Sequence, residues 1–130
     1  MSDNQGVKFD LIFTIVRKGF AEEVVEATKK AGAEGGTIIN GRGAGIHENA
    51  KLFGIPIEPE KEIVLTLIDR TKTEKVLEAI YNAVELNKPA HGIAFVLEVD
   101  KAVGICHLSN NCPNPDNPDR ICRVSHIPEN

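Results

Sequence analysis

Leu11–Thr28 reads LIFTIVRKGFAEEVVEAT, and Ile63–Ile80 reads IVLTLIDRTKTEKVLEAI. The two stretches align without a gap. Thr14 meets Thr66, Glu22 meets Glu74, Val24 meets Val76, Glu26 meets Glu78 and Ala27 meets Ala79. Most other positions keep their polarity. Each copy is an apolar run followed by apolar residues at helical spacing, so a strand-then-helix unit occurs twice. That points to one compact fold built from two similar halves, with function in the segments the halves do not share.

Working outward, Lys8–Val16 is predicted to be a strand with Phe9, Leu11, Phe13 and Ile15 on one face and Ile12 and Val16 on the other. A helix is predicted over Phe20–Ala31, with Phe20, Val24, Ala27 and Ala31 inward and Gly32 as its exit. Gly35-Gly36 turns the chain into a second strand at Thr37–Ile39. Residues 41 to about 60 form a long excursion that opens with Gly-Arg-Gly-Ala-Gly, and Pro56 and Pro59 argue against helix there. The second half runs as a strand over Glu62–Asp69, a capping box at Thr71-x-x-Glu74, and a helix with the stripe Val76, Leu77, Ile80, Tyr81 and Val84. A turn over Lys88–Gly92 then leads to a fourth strand at Ile93–Val99. Beyond Gly104 the segment SNNCPNPDNPD is rich in Asn, Asp and Pro and reads as irregular. The expected organisation is a folded domain over 1–106 and a Cys/Asn/Pro-rich tail over 107–130.

The order β-α-β-β-α-β is that of a ferredoxin-like α+β sandwich. Strands one and three carry large apolar residues on both faces, so both faces of the sheet should be buried. Two helices cover only one face. Either copies of the chain pack their sheets together or the tail folds over the open side; the tail's Asn and Pro content makes it a poor cover.

Bulk properties narrow the function. A chain of 130 residues suits one domain, and 42% hydrophobic with 26% charged residues is ordinary for a soluble globular protein. A net charge of −4 disfavours a nucleic-acid role. No apolar run reaches the roughly 20 residues that span a bilayer. MSDNQGVKFD lacks the basic-then-apolar order of a signal peptide, so a cytoplasmic location is expected. The three cysteines all lie after residue 105, a poor start for a disulfide framework. With no coupled nucleophile and base, no repeated acidic metal motif and no Walker-type loop, an enzyme is not expected.

Several segments carry a family resemblance: IVRKGFAEEVVEATKKAGAEGGTI, GRGAG, KEIVLTLI, EKVLEAI and KPAHGIAFVLEVDKAVGI. Over residues 8–106 the chain resembles the PII signalling proteins, regulators of nitrogen metabolism. The resemblance implies a homotrimer with sheets facing inward and adenine-nucleotide clefts between subunits. It also implies a projecting T-loop, residues 41–60 here, that touches a regulated membrane transporter or metabolic enzyme. The implied protein is a signal-transduction regulator with no tightly bound cofactor and a small effector as ligand.

Carried across residue by residue, Gly43 and Gly45 match the T-loop base, where a phosphate approaches backbone N–H groups that a Cβ would obstruct. A tight turn leaving strand two is the other reading. Arg42 falls on a family lysine at this base and either meets phosphate or is solvated. Lys61 falls on a lysine that reaches the ligand, or is simply a charge at a strand start. Ile15, Thr37 and Leu67 match adenine-pocket positions, although Ile15 and Leu67 read equally well as core. Gly92 and Ala90 match the B-loop, the second wall of the cleft.

The departures are informative. Ile46, Ile93, Gly104 and Cys106 stand where the family pattern has basic residues that hold a triphosphate. Each lost charge-assisted contact removes roughly 1.5–3 kcal/mol. ADP or AMP, or no nucleotide, is therefore expected over ATP. His47 replaces the glutamine used for magnesium and 2-oxoglutarate, and the lone tyrosine, Tyr81, lies outside the loop, which excludes tyrosine modification there. His47 and His91 map to the cleft rims, as contacts to an anion or metal or as surface histidines. Cys106, His107, Cys112, Cys122 and His126 allow three readings: a metal site, a Cys112–Cys122 redox latch, or an unstructured tail with incidental cysteines. A metal- or redox-responsive protein on the PII scaffold is thus the alternative to the effector sensor.

Overall fold

The computed structural model describes residues 6–45, 51–56 and 58–104. In chain order the elements are β1 (Phe9–Arg17), α1 (Ala21–Lys30), β2 (Thr37–Arg42), β3 (Lys51–Leu52), β4 (Ile55–Pro56), β5 (Glu60–Asp69), α2 (Thr73–Ala83) and β6 (Gly92–Val99). A 3-10 turn, Arg70–Lys72, leads into α2. Four strands form an antiparallel sheet in the order β2-β5-β1-β6, and β3 and β4 form a separate hairpin. This is the ferredoxin-like topology. No helix among the described residues is long and apolar enough to cross a membrane.

The doubled unit occupies the centre of this arrangement. β1 and β5 are neighbours, and Phe13 lies directly opposite Leu65. Those two residues are also equivalent in the internal alignment, so the local twofold relating the halves passes between them.

Alternation along the strands divides the apolar residues between two faces. Ile12, Val16, Val64 and Ile68 are buried on one side under Ala21 and Val24 of α1 and Val76 and Ile80 of α2. The other side carries Leu11, Phe13 and Ile15 opposite Leu67, Leu65 and Ile63. It continues onto β6 with Ile93, Phe95 and Leu97. The rings of Phe13 and Phe95 stack at 5.0 Å there. Ile93 and Leu97 remain 56% and 49% exposed, so the helices leave this face open.

Three local readings need correction. The capping box does not form. The Asp69 carboxylate accepts from both the backbone N–H and the hydroxyl of Thr71, each at 2.8 Å. A charged acceptor at the strand end outcompetes a neutral one, turns the chain through 3-10 geometry and delays the helix to Thr73. Tyr81 is 48% exposed, outside the buried stripe of Val76, Ile80 and Val84, because it lies on the flank of α2 turned from the sheet. The long loop is shorter than 41–60. Gly41 pairs with Lys61 and Arg42 with Glu60, so the ladder continues two residues further and the excursion spans 43–59.

Two carboxylates tie helices to strands. Asp10, buried in β1, accepts from Arg70 Nε and Thr73 Oγ1, both at 2.8 Å. Arg70 Nη2 donates to the Phe9 carbonyl at 3.2 Å. At the other helix, Phe20 precedes α1 and offers no capping side chain; its ring lies 4.6 Å beneath the Arg17 guanidinium. Glu62 of β5 supplies the cap instead, its Oε1 accepting from Gly19 N and Ala21 N at 2.8 and 3.0 Å. The carboxylate satisfies N–H groups at the positive end of the helix dipole. Glu62→Ala is expected to lower stability by about 1 kcal/mol in urea unfolding, and Glu62→Gln, which keeps an acceptor, by less.

Candidate functional site

One end of the sheet gathers the segments in which the two halves differ. There β2 ends, β5 begins, and the turn after α2 delivers β6. Ile39, Ile63, Ile15 and Ile93 form one rung across the open face, and Gly41 and Lys61 follow at the next. A cleft of about 470 Å³ opens over this corner. Ile15, Ile63 and Ile93 make an apolar floor, Gly41–Gly45 make a wall of mostly bare backbone, and Ala90 and Gly92 close the far side. Arg42 and Lys61 bring the only charges among the described lining residues, both positive.

The carboxylates on either side of Lys61 in the chain are engaged elsewhere. Glu60 Oε1 sits 3.2 Å from Lys18 Nζ, and Glu62 caps α1 on the opposite face. The stems of the excursion are tied by Gly43 N donating to the Pro59 carbonyl at 3.0 Å. Such a corner can hold a planar apolar group on the isoleucines and an anion against the glycine backbone and the two cations.

The glycines differ in what requires them. Gly92 has φ of +145°, and a Cβ there would stand 2.5 Å from the Ile15 carbonyl oxygen and 3.1 Å from a Val16 methyl. The fold itself demands glycine at this position. Around Gly43 a Cβ would meet nothing within 4 Å, and its φ lies outside the left-handed region. The tight-turn reading of Gly43 therefore has no steric basis in the described chain.

The structure brings Ile15, Arg42, Gly43, Gly45, Lys61, Ala90 and Gly92 to this cleft. Thr37 and Leu67 share its face but sit further along the strands, opposite Leu65 and Leu11. His91 is adjacent to the lining, with its Nδ1 3.1 Å from the Val84 carbonyl. A carbonyl only accepts, so Nδ1 carries the proton in that bond. Ala90 holds a left-handed φ of 66° beside it. His47 and Cys106, Cys112 and Cys122 lie outside the described residues, as do His107 and His126. Among the described residues no cluster of His, Cys, Asp or Glu has the geometry to hold a metal.

Sequence reasoning missed Gly41, Ala44, Ile63 and Ile93 as lining. Ile63 was within reach, since strand alternation puts it on the face of Ile15. Ile93 was read as a strand residue and a lost charge, whereas its side chain forms part of the cleft floor.

The family model described as Nitrogen regulatory protein P-II matches residues 9–107. The fold is similar to that in the crystal structure of Arabidopsis thaliana PII bound to citrate, with a TM-score of 0.60 and 23% identity over 76% of this chain and 84% of that chain. At that identity the likeness establishes the fold alone. No curated protein matches the chain.

Proposed function

Because the chain belongs to the nitrogen regulatory protein P-II family, whose members are trimeric regulators that bind small effectors and partner proteins, we propose that it is a non-catalytic, cytoplasmic PII-type sensor. Its effector is an adenine nucleotide, ADP or AMP in preference to ATP, held in the corner cleft. The open sheet faces of three copies pack inward and cover Phe13, Phe95 and Leu97. The excursion over 43–59 carries the signal to a transporter or metabolic enzyme by binding it better in one effector state than in the other.

The observation that carries this reading is the composition of the cleft. An apolar floor suits a purine, bare backbone beside two cations suits phosphate, and no described lining residue is a carboxylate. The preference for fewer phosphates rests on Ile93 and Gly104, which offer no charge where the family pattern supplies it. Citrate, the ligand in the Arabidopsis protein, is a useful polyanion control.

Light scattering should return three times the 14.1 kDa chain mass. Calorimetry should show ADP and AMP binding more tightly than ATP, and Lys61→Ala should weaken ADP by about 10- to 100-fold. If no adenine nucleotide binds below millimolar concentration, the effector assignment fails.

A further inference from the structure

The turn between α2 and β6 holds two non-glycine residues with left-handed backbone, Glu85 at φ 53° and Ala90 at φ 66°. Glu85 has a local reason. It follows the last turn of α2, and Leu86 N donates across it to the Tyr81 carbonyl at 3.1 Å, the bond that closes a helix through a left-handed residue. Ala90 ends no helix. A Cβ in this region crowds the following carbonyl, so the conformation persists only where the surroundings impose it. From Glu85 the backbone makes two short turns: Lys88 N donates to the Glu85 carbonyl at 3.0 Å, and His91 N to the Lys88 carbonyl at 3.3 Å. The His91 side chain then closes the circuit, its Nδ1 donating to the Val84 carbonyl at 3.1 Å. Val84 is the C-cap of α2. Its carbonyl is one that a helix end leaves without an intrahelical donor, at the negative end of the dipole. Ala90 and Gly92 line the cleft, whereas His91 between them is not among the described lining residues.

We infer that His91 is a positioning residue of the cleft: its Nδ1–H bond to the end of α2 holds Ala90 in the left-handed conformation and so sets the far wall that a ligand meets. The inference rests on the cleft being the effector site and adds the residue that shapes it. His91 acts through the backbone of its two neighbours and not as a ligand contact. The steric demand at Gly92 fixes where β6 begins, against the Ile15 carbonyl, but not the path of the turn that leads there. A second side-chain tie in the turn, Lys88 Nζ to Glu85 Oε1 at 3.2 Å, joins two side chains more than half exposed and holds little. If loss of the His91 bond leaves the turn in its cleft-forming state about one-tenth of the time, apparent affinity falls about tenfold.

Asparagine and glutamine separate the two ring nitrogens. An Asn amide nitrogen falls where Nδ1 stands, and a Gln amide nitrogen reaches the place of Nε2. Calorimetry with ADP on the full chain should find His91→Ala about tenfold weaker than wild type, His91→Asn within about threefold of it, and His91→Gln as weak as His91→Ala. Adding Ala90→Gly to His91→Ala should recover part of the loss, because glycine takes the left-handed backbone without a latch. Nitrogen NMR of the wild-type imidazole should show the proton on Nδ1 and keep it there when ADP is added. Recovery by Gln and not by Asn makes His91 a ligand contact through Nε2 and overturns the proposal, as does wild-type affinity in His91→Ala. Should wild type bind no adenine nucleotide, the effector reading falls, and hydrogen exchange judges the latch. The amides of residues 88–92 should exchange roughly tenfold faster in His91→Ala and return to wild-type rates in His91→Asn. Unchanged exchange in His91→Ala removes the latch, with or without ADP binding.

Discussion

Gly92→Ala is expected to destabilise the fold by about 3 kcal/mol or more and to lower the thermal midpoint by roughly 10 °C or more. Two separate costs coincide at this residue. Its φ of +145° is a conformation that side chains rarely adopt, and the added Cβ would lie 2.5 Å from the Ile15 carbonyl oxygen. That oxygen belongs to the backbone of a central strand, so it cannot move aside as a flexible side chain could. The position begins β6, and displacement there opens the edge of the sheet and the cleft floor together. Gly43→Ala is the matching control. A Cβ there meets nothing within 4 Å, so stability should change by less than about 0.5 kcal/mol while ADP affinity falls. Calorimetric melting of both variants beside ADP titration checks the pair. Equal destabilisation by the two would show that the glycines serve the same purpose.

Asp10→Ala is expected to cost about 2–3 kcal/mol, read from urea unfolding. The Asp10 carboxylate is buried and accepts from Arg70 Nε and Thr73 Oγ1. Removing it leaves Arg70 Nε and the Thr73 hydroxyl without their acceptor at the start of α2, while Arg70 Nη2 keeps the Phe9 carbonyl. Loss of one partner of a fully buried pair costs about 3–5 kcal/mol. The Arg70 side chain is 33% exposed, so water recovers part of that. Combining Asp10→Ala with Arg70→Ala should be clearly less than additive, because the second change removes the group stranded by the first. Additive costs would mean that the two side chains act independently.

The fold was legible because the internal repeat records its geometry twice. Strand alternation placed Ile12 and Val16 apart from Leu11, Phe13 and Ile15, and the structure keeps that division. What escaped was tertiary. Nothing in the run from Phe20 onward announces that its cap comes from Glu62, on a strand in the other half of the chain. Asp69 outcompeted Thr71 because it stands at the strand end with a full charge, whereas the capping-box pattern weighs only residue spacing. At the cleft, Gly43 and Gly92 look alike as letters beside strand ends. Only backbone dihedrals and the distance to Ile15 separate a glycine the fold requires from one it does not.

Lys61 and Glu62 are adjacent in β5 and point to opposite sides of the sheet, one lining the cleft and one capping α1. A slip of β5 by one residue would exchange them. Glu62 would then replace Lys61 in the corner beside Arg42, and the Lys61 ammonium would face the positive end of α1. Misregistered β5 is therefore penalised electrostatically at the α1 N-terminus, in addition to turning Val64, Thr66 and Ile68 out of the core. The Glu62 cap thus favours the native register of β5 independently of any ligand.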